Sequence, residues 1–245
     1  MSDAQTDTID KKETNKALFA SFIGSAIEWY DFFIYGTAAA LVFNQIFFPS
    51  FDPFIGLLLS YVTFSITFFI RPLGGAVFCN IGDRIGRKSS LILTLVLMGG
   101  ATFLIGILPD YNTIGILAPL LLLLFRIIQG IGIGGEWSGA LLLAVEYSKK
   151  NNRGLYGSIP QLGVPVGLIL GTVTFSLLTL LPEASFVAWG WRIPFILSAV
   201  LVAIALWIRT SIDETPIFKE AREKGKIERM PILETFRSHW KMVLV

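Results

Sequence analysis

The stretch FIGSAIEWYDFFIYG, residues 22–36, is apolar enough to lie in a bilayer, yet Glu28 and Asp31 stand near its centre. It sits in a run from Ala17 to Phe43, longer than the roughly 20 residues with which a helix crosses a hydrocarbon core. At about 1.5 Å of rise per residue, Glu28 lies about 16 Å into that run, near the midplane. Asp31 and Tyr35 follow at spacings of three and seven, so the three side chains share one helix face. A charge near the bilayer centre costs on the order of 3 kcal/mol or more, so this face must look at a cavity or at a cation rather than at lipid. The run is not read as a signal peptide. It follows the polar head MSDAQTDTIDKKETNK, is too long, and carries acids where such a segment is apolar.

The rest of the chain repeats the pattern. The 245 residues are 53% hydrophobic and 16% charged, with a mean hydropathy of +0.67, too apolar for a soluble domain of this size. Five further runs are long enough to span, roughly Phe54 to Phe78, Ser90 to Leu108, Ile114 to Tyr147, Leu155 to Leu181 and Trp189 to Ile208. The expected fold is an all-α integral membrane bundle of six helices, and the lipid bilayer is its first partner. A net charge of +2 argues against a nucleic-acid partner, which would need clustered, unpaired cations. With Cys79 the only cysteine and His239 the only histidine, a disulfide framework and most metal sites are excluded. No hydrolase or metalloprotease motif is present, so no enzyme is expected.

Seventeen of the 20 Lys and Arg residues fall before span one, after spans two and four, or after span six. This asymmetry puts the N-terminus and those loops on the cytoplasmic side. Arg71, Arg126 and Arg192 are the exceptions. Arg192, in WGWRIPF just after Trp189 and Trp191, is expected to anchor at the interface. Arg71 lies twelve residues before Asp83, about 18 Å from the loop along a helix, and Arg126 follows the apolar run PLLLLLF. Both are expected to meet the Glu28, Asp31 and Tyr35 face. A carboxylate there is destabilised in its charged form by desolvation and stabilised by a guanidinium, which would couple proton and ligand occupancy. A static ion pair that fixes helix register is the other reading.

In the fourth span, Gln129 and Glu136 are seven apart and share a face, with Arg126 one turn before Gln129. The glycines at 130, 132, 134, 135 and 139 point either to close helix packing or to local unwinding around a site. The loop CNIGDRIGRKSS brings Asp83 among Arg84, Arg87 and Lys88. With Glu146 at the end of span four these residues form either a network that holds the cytoplasmic side shut or a solvated surface cluster of little energetic weight.

These residues carry a family resemblance. GDRIGRK (82–88) resembles the loop signature of the major facilitator superfamily, and RIIQGIG and WGWRIPF match further motifs of it. EWYDF, RPLGG, RIIQGIGIGGEWSGA and ETPIF together resemble its metabolite:proton symporter branch, whose members carry shikimate, 2-oxoglutarate, citrate, or proline and betaine. The resemblance implies the N-terminal six-helix bundle of such a transporter, built from two three-helix repeats, in a bacterial cytoplasmic membrane. It implies substrate and proton binding at Glu28, Asp31, Tyr35, Arg71, Arg126, Gln129 and Glu136, and a cytoplasmic gate of Asp83, Arg84, Arg87, Lys88 and Glu146. Cys79 departs from the signature, which opens with glycine at that position.

The resulting expectation is a proton-coupled symporter of small organic acids or zwitterionic metabolites, with a shikimate-like or dicarboxylate substrate favoured because arginine clamps carboxylates. No cofactor beyond the proton gradient is expected. The domain reading is a cytoplasmic tail (1–16), a six-helix bundle (17–208), a central loop with short amphipathic helices (209–239) and the start of a seventh span (240–245). A truncated half that needs a C-terminal six-helix bundle fits that reading, and a non-transporting remnant or bundle-pairing module is the alternative.

Overall fold

The structure, a computed structural model, describes residues 11–148 and 150–215 together with Phe218, Glu220, Glu223 and Lys224. The first ten residues, Lys149, Pro216, most of the expected central loop and the expected seventh-span segment lie outside the described residues. Among those described, the chain is all-helical: α1 (Lys11–Leu41), α2 (Phe43–Phe47), α3 (Pro53–Ile85), α4 (Arg87–Ile107), α5 (Tyr111–Ile114), α6 (Leu117–Glu146), α7 (Arg153–Ser158), α8 (Gly163–Leu178), α9 (Glu183–Ala188) and α10 (Ile193–Thr210). Six stretches are long and apolar enough to cross a membrane: α1, α3, α4, α6, the nearly continuous α7–α8, and α10 with the turn before it.

The helix ends follow local chemistry. Asp52 caps α3 by accepting the Phe54 N–H at 2.9 Å, with Pro53 at the first helical position where its missing N–H goes unused. The second span runs past its expected end at Phe78 because the polar GDRI segment continues the helix to Ile85. Gly86 then turns the chain with φ at +108°, a conformation that only glycine adopts without strain. The basic residues gather at the end of the bundle where α3, α6 and α10 finish and α1 and α4 begin, called here the basic end.

α1 runs through the bundle, packed by α3, α6, α8 and α10. Of its apolar stretch 67% is buried, against 22% for α3 and for α7–α8, so the outward faces of α3 and α8 carry much of the bundle's exposed apolar surface. At the end away from the basic residues, Tyr35, Phe43, Phe47, Trp191 and Phe195 form an edge-to-face aromatic core. Trp191 is therefore fully buried, not at a membrane interface as WGWRIPF suggested. Arg192 donates to the carbonyls of Gly106 (3.0 Å) and Leu108 (2.6 Å), closing the C-terminal end of α4 as basic side chains commonly do.

α6 is helical without a break through its glycine-rich stretch, so close packing, not unwinding, explains those residues. A Cβ on Gly74 of α3 would fall 2.7 Å from the Ile131 Cα, and one on Gly134 of α6 would fall 2.5 Å from the Gly75 N. Backbone meets backbone at this crossing, the contact that small residues allow between membrane helices.

A buried ion pair ties the basic half. Arg209 of α10, 3% exposed, pairs with Glu136 of α6, which is fully buried. The same carboxylate accepts from Arg209 Nη1 (2.8 Å) and Thr94 Oγ1 (2.8 Å), and Arg209 also donates to the Leu91 carbonyl at 2.7 Å. Reading Arg209 as a loop cation placed it one element too far along; the last turn of α10 carries it inward.

Two stability predictions follow from these contacts. Gly134→Ala forces α3 from α6 and lowers stability by about 1–3 kcal/mol, whereas Gly100→Ala, which meets no atom within 4 Å, leaves the melting temperature unchanged or slightly raised; thermal unfolding in detergent measures both. Glu136→Gln leaves the Arg209 charge buried without its counter-ion and destabilises by about 3–5 kcal/mol, and replacing both partners with Leu and Met recovers most of that loss.

Candidate functional site

The three residues on the α1 face occupy different surroundings. Glu28, 1% exposed, pairs through Oε1 with Arg71 of α3. Its other oxygen, Oε2, has no hydrogen-bond partner. The pair lines a shallow cleft with Trp29 and Phe32 of α1, Thr67 and Phe68 of α3, and Ile133 of α6. Arg71 retains 26% of its side-chain surface, so the guanidinium reaches the cleft. This arrangement bears out the expected meeting of Glu28 and Arg71.

Asp31 does not meet a guanidinium directly, contrary to expectation. It is fully buried and accepts hydrogen bonds from Thr102 of α4 at 2.7 Å and Ser198 of α10 at 2.7 Å. Three residues is slightly less than one helical turn, enough to rotate Asp31 away from Glu28 toward the α4 and α10 side. A chain of hydrogen bonds leads from it to Arg126. Gln129 donates through Nε2 to Thr102 Oγ1 (2.9 Å) and accepts through Oε1 from Arg126 Nη1 (2.5 Å).

Arg126 itself is fully enclosed. It donates to the carbonyls of Phe64 (2.9 Å) and Thr63 (3.4 Å) on α3, and its guanidinium lies 3.8 Å from the centroid of the Tyr35 ring. Tyr35 is held in turn by a 2.8 Å hydrogen bond to Thr63 Oγ1. Tyr35, Asp31, Gln129 and Arg126 thus form one buried polar layer that ties α1, α3, α4, α6 and α10 together. Gln129 and Glu136 do share a face, as their spacing predicts, but that face packs on α4 through Thr102 and Thr94. Glu136 therefore stands apart from the cleft, committed to Arg209.

At the basic end Arg87 bridges two acids. It pairs with Asp83 at 2.7 Å and, through Nε, with Glu146 at 3.5 Å, linking α3, α4 and α6. Arg84 is exposed and joins no ion pair among the described residues, so it drops out of the expected network. Lys88 contributes through Nζ, which donates to the Thr210 carbonyl at 2.8 Å. The residue sequence reasoning missed is Glu214: its carboxylate accepts the backbone N–H groups of Arg87 (2.9 Å) and Lys88 (3.2 Å). An acid on the free N–H groups at the start of α4 is favoured by hydrogen bonding and by the helix dipole. Its signal was present in ETPIF, a motif noted only for resemblance.

Tyr147, just past α6, donates to the Asp213 carbonyl at 3.0 Å. Burial, followed by the nearby Asp213, Glu13, Glu214 and Glu146 carboxylates, pushes its phenol up to about 12, so it stays protonated as a donor at physiological pH. Thr215 Oγ1 accepts from the Phe218 N–H at 3.4 Å. Cys79 is part-buried, 3.9 Å from Ser138 Oγ on α6.

With this geometry established, the known proteins it resembles are informative. Residues 16–237 match the family described as "Sugar (and other) transporter". The inner membrane metabolite transport protein YhjE of Escherichia coli is 50% identical over 94% of this chain and 53% of its own length. The Escherichia coli shikimate transporter is 46% identical over 95% of this chain and 54% of its own, and the Escherichia coli proline/betaine transporter is 42% identical over 88% and 43%. The chain spans about half the length of the curated relatives it matches. Among solved structures, the xylose transporter XylE of Escherichia coli in a partially occluded inward-open conformation superposes with a TM-score of 0.74 at 18% identity, covering 89% of this chain and 52% of XylE. Buried charge on the first, second and fourth spans, the clustered loop signature and the shared six-helix fold lead to one assignment: the chain belongs to the sugar (and other) transporter family of the major facilitator superfamily, matches its metabolite transporters, and corresponds to their N-terminal half.

Proposed function

We propose that this chain supplies the N-terminal bundle of a proton-coupled symporter for small organic acids or zwitterionic metabolites, working with a C-terminal six-helix bundle across a shared cleft. The observation that carries the reading is the paired burial of two acids and two guanidiniums about one helix. Glu28 and Arg71 meet at the cleft, and Asp31 connects to Arg126 through Thr102 and Gln129. A hydrogen-bonded path of this kind lets a change of protonation at Asp31 alter how Arg126 is held, and Arg126 bonds the backbone of α3, the helix that also carries Arg71. A proton and a ligand can then be felt by the same set of helices.

Arginine at the cleft favours an anionic group on the substrate, and a shikimate-like acid or a dicarboxylate is the first choice. The asymmetry of basic residues supports an N-terminus and a basic end on the cytoplasmic side of a bacterial membrane. There the contacts of Arg87, Asp83, Glu146, Lys88 and Glu214 serve as the inner gate, fastening the start of α4 to the ends of α3 and α6 and to the segment after α10.

Uptake of radiolabelled shikimate, 2-oxoglutarate and proline into cells tests the proposal, with this chain expressed alone and beside a version extended by a C-terminal bundle. Accumulation abolished by an uncoupler is expected only with the extended version, and Asp31→Asn or Arg126→Ala should abolish it while leaving membrane insertion intact. Uncoupler-insensitive uptake contradicts proton coupling. Unchanged uptake in both variants removes the buried layer from the mechanism.

A further inference from the structure

Two polar levels lie on one seam of the bundle, where α1, α4, α6 and α10 meet. At the deeper level Asp31 of α1 accepts from Thr102 of α4 and Ser198 of α10, and Gln129 of α6 donates to Thr102. Nearer the basic end, Glu136 of α6 accepts from Thr94 of α4 and Arg209 of α10, and Gly24 of α1 lies against that pair. Thr94 and Thr102 are eight residues apart on α4, which sets the two levels about 12 Å apart along the helix.

Between the levels the seam is apolar. Ile27, Leu95, Met98, Ile133, Val202 and Ala205 form one cluster, each at most 7% exposed. From Leu95 to Ala101 on α4, from Gly130 to Gly135 on α6 and from Ala199 to Ile208 on α10, no side chain is ionisable or carries an amide or a hydroxyl. The polar side chains of α1 between Gly24 and Asp31 are turned elsewhere. Glu28 pairs with Arg71 of α3, Trp29 lines the cleft, Tyr30 donates to the Pro194 carbonyl, and Ser25 packs against Gly163 of α8. Glycines let the helices press together at the height of Met98: Gly99 leaves no room for a Cβ against Val202, and a Cβ on Gly132 would fall 3.1 Å from the Met98 N.

Water settles in a protein interior where it finds two to four polar partners, and an apolar space stays dry. A chain of waters across about 12 Å takes about four molecules at the usual hydrogen-bond spacing, and this cluster offers them no partner. A hydronium there also bears the cost of a charge in hydrocarbon.

We infer that the cluster of Leu95, Met98, Ile133 and Val202 is a dry barrier that stops a proton held at Asp31 from reaching the basic end through the interior of the bundle. This inference rests on the symport function proposed above. A leak would pass the proton from the Asp31 carboxyl to water and along a chain of waters to the basic end, leaving a carboxylate behind and carrying no substrate. With that route closed, the proton is released only when the two bundles part, on the side from which substrate leaves. Beyond the barrier, Glu136 and Arg209 are committed to each other, so neither draws the proton through. Coupling therefore depends on Met98 and Val202, side chains that lie outside the lining of the cleft.

The test places the version extended by a C-terminal bundle in liposomes that hold a pH-sensitive dye, imposes an inward-driving potential, and follows acidification without substrate and with shikimate or proline. Without substrate, the wild type should acidify the interior no faster than protein-free liposomes, and substrate should raise the rate. Met98→Gln, close to methionine in size, should admit protons at least tenfold faster without substrate, and Val202→Thr, which barely changes volume, several-fold faster. Both should lower substrate accumulation, whereas Met98→Leu behaves as the wild type. Adding Asp31→Asn to Met98→Gln should remove the leak, which general damage to the bundle would not do; thermal unfolding in detergent checks that each variant is folded. Proton entry through the wild type without substrate overturns the inference, a result that depends on no variant. A leak that survives Asp31→Asn overturns it too. Folded Met98→Gln and Val202→Thr that stay as tight as the wild type, with substrate-driven entry intact, remove the barrier and leave symport standing. Wild-type protein in which substrate drives no proton entry removes both.

Discussion

Charge buried in an apolar bundle must be matched, and the architecture of this chain is organised around that requirement. An isolated carboxylate or guanidinium inside a bilayer is too costly to keep, so each one here meets a group on another helix. Glu28 draws in α3 through Arg71. Asp31 draws in α4 and α10 through Thr102 and Ser198, and Glu136 draws in α10 again through Arg209. Because α1 carries two of these acids and α6 carries Arg126 and Glu136, these two helices are the ones whose positions the others must respect. Glycine-mediated backbone contact between α3 and α6 then brings the two arginine-bearing spans close enough for Arg126 to bond α3 carbonyls.

The matched charges differ in how completely they are enclosed, and in the proposed transporter this difference separates frame from working site. Glu136 and Arg209 are shut inside, with Thr94 and Leu91 adding hydrogen bonds. The Asp31–Arg126 layer is equally enclosed but is built from hydrogen bonds that can shift their donors. Glu28 and Arg71 stand at a cleft, with an unpartnered oxygen on Glu28 and unpartnered polar atoms on the neighbouring Thr67 and Trp29. In the proposed transporter this gradation runs from fixed ties at the basic end, through a relay, to an exchangeable pair at the surface that a second bundle would cover.

Much of this was legible in the sequence. Hydropathy and the distribution of Lys and Arg located the six spans to within a few residues at most ends, and depth along a helix marked Glu28, Asp31, Arg71 and Arg126 as buried. What linear position cannot give is azimuth: it sets the level of a residue in the bilayer without saying which neighbouring helix it faces. That is why Asp31 and Arg126, correctly placed in the core, were expected to meet directly when Thr102 and Gln129 stand between them. Arg209 was hidden by lying one residue beyond the expected span, and Trp191 by the general preference of tryptophan for interfaces. Glu214 was hidden because ETPIF, though noted, does not say which helix start more than a hundred residues away its acid caps.

The most direct measurement of the central claim is carboxyl modification by a membrane-permeant carbodiimide, read residue by residue by mass spectrometry, with and without a bound carboxylate ligand. The account predicts modification at Glu28, protection of Glu28 by the ligand, and no modification at Glu136. Preferential modification of Glu136, or labelling of Glu28 that the ligand does not affect, would contradict it.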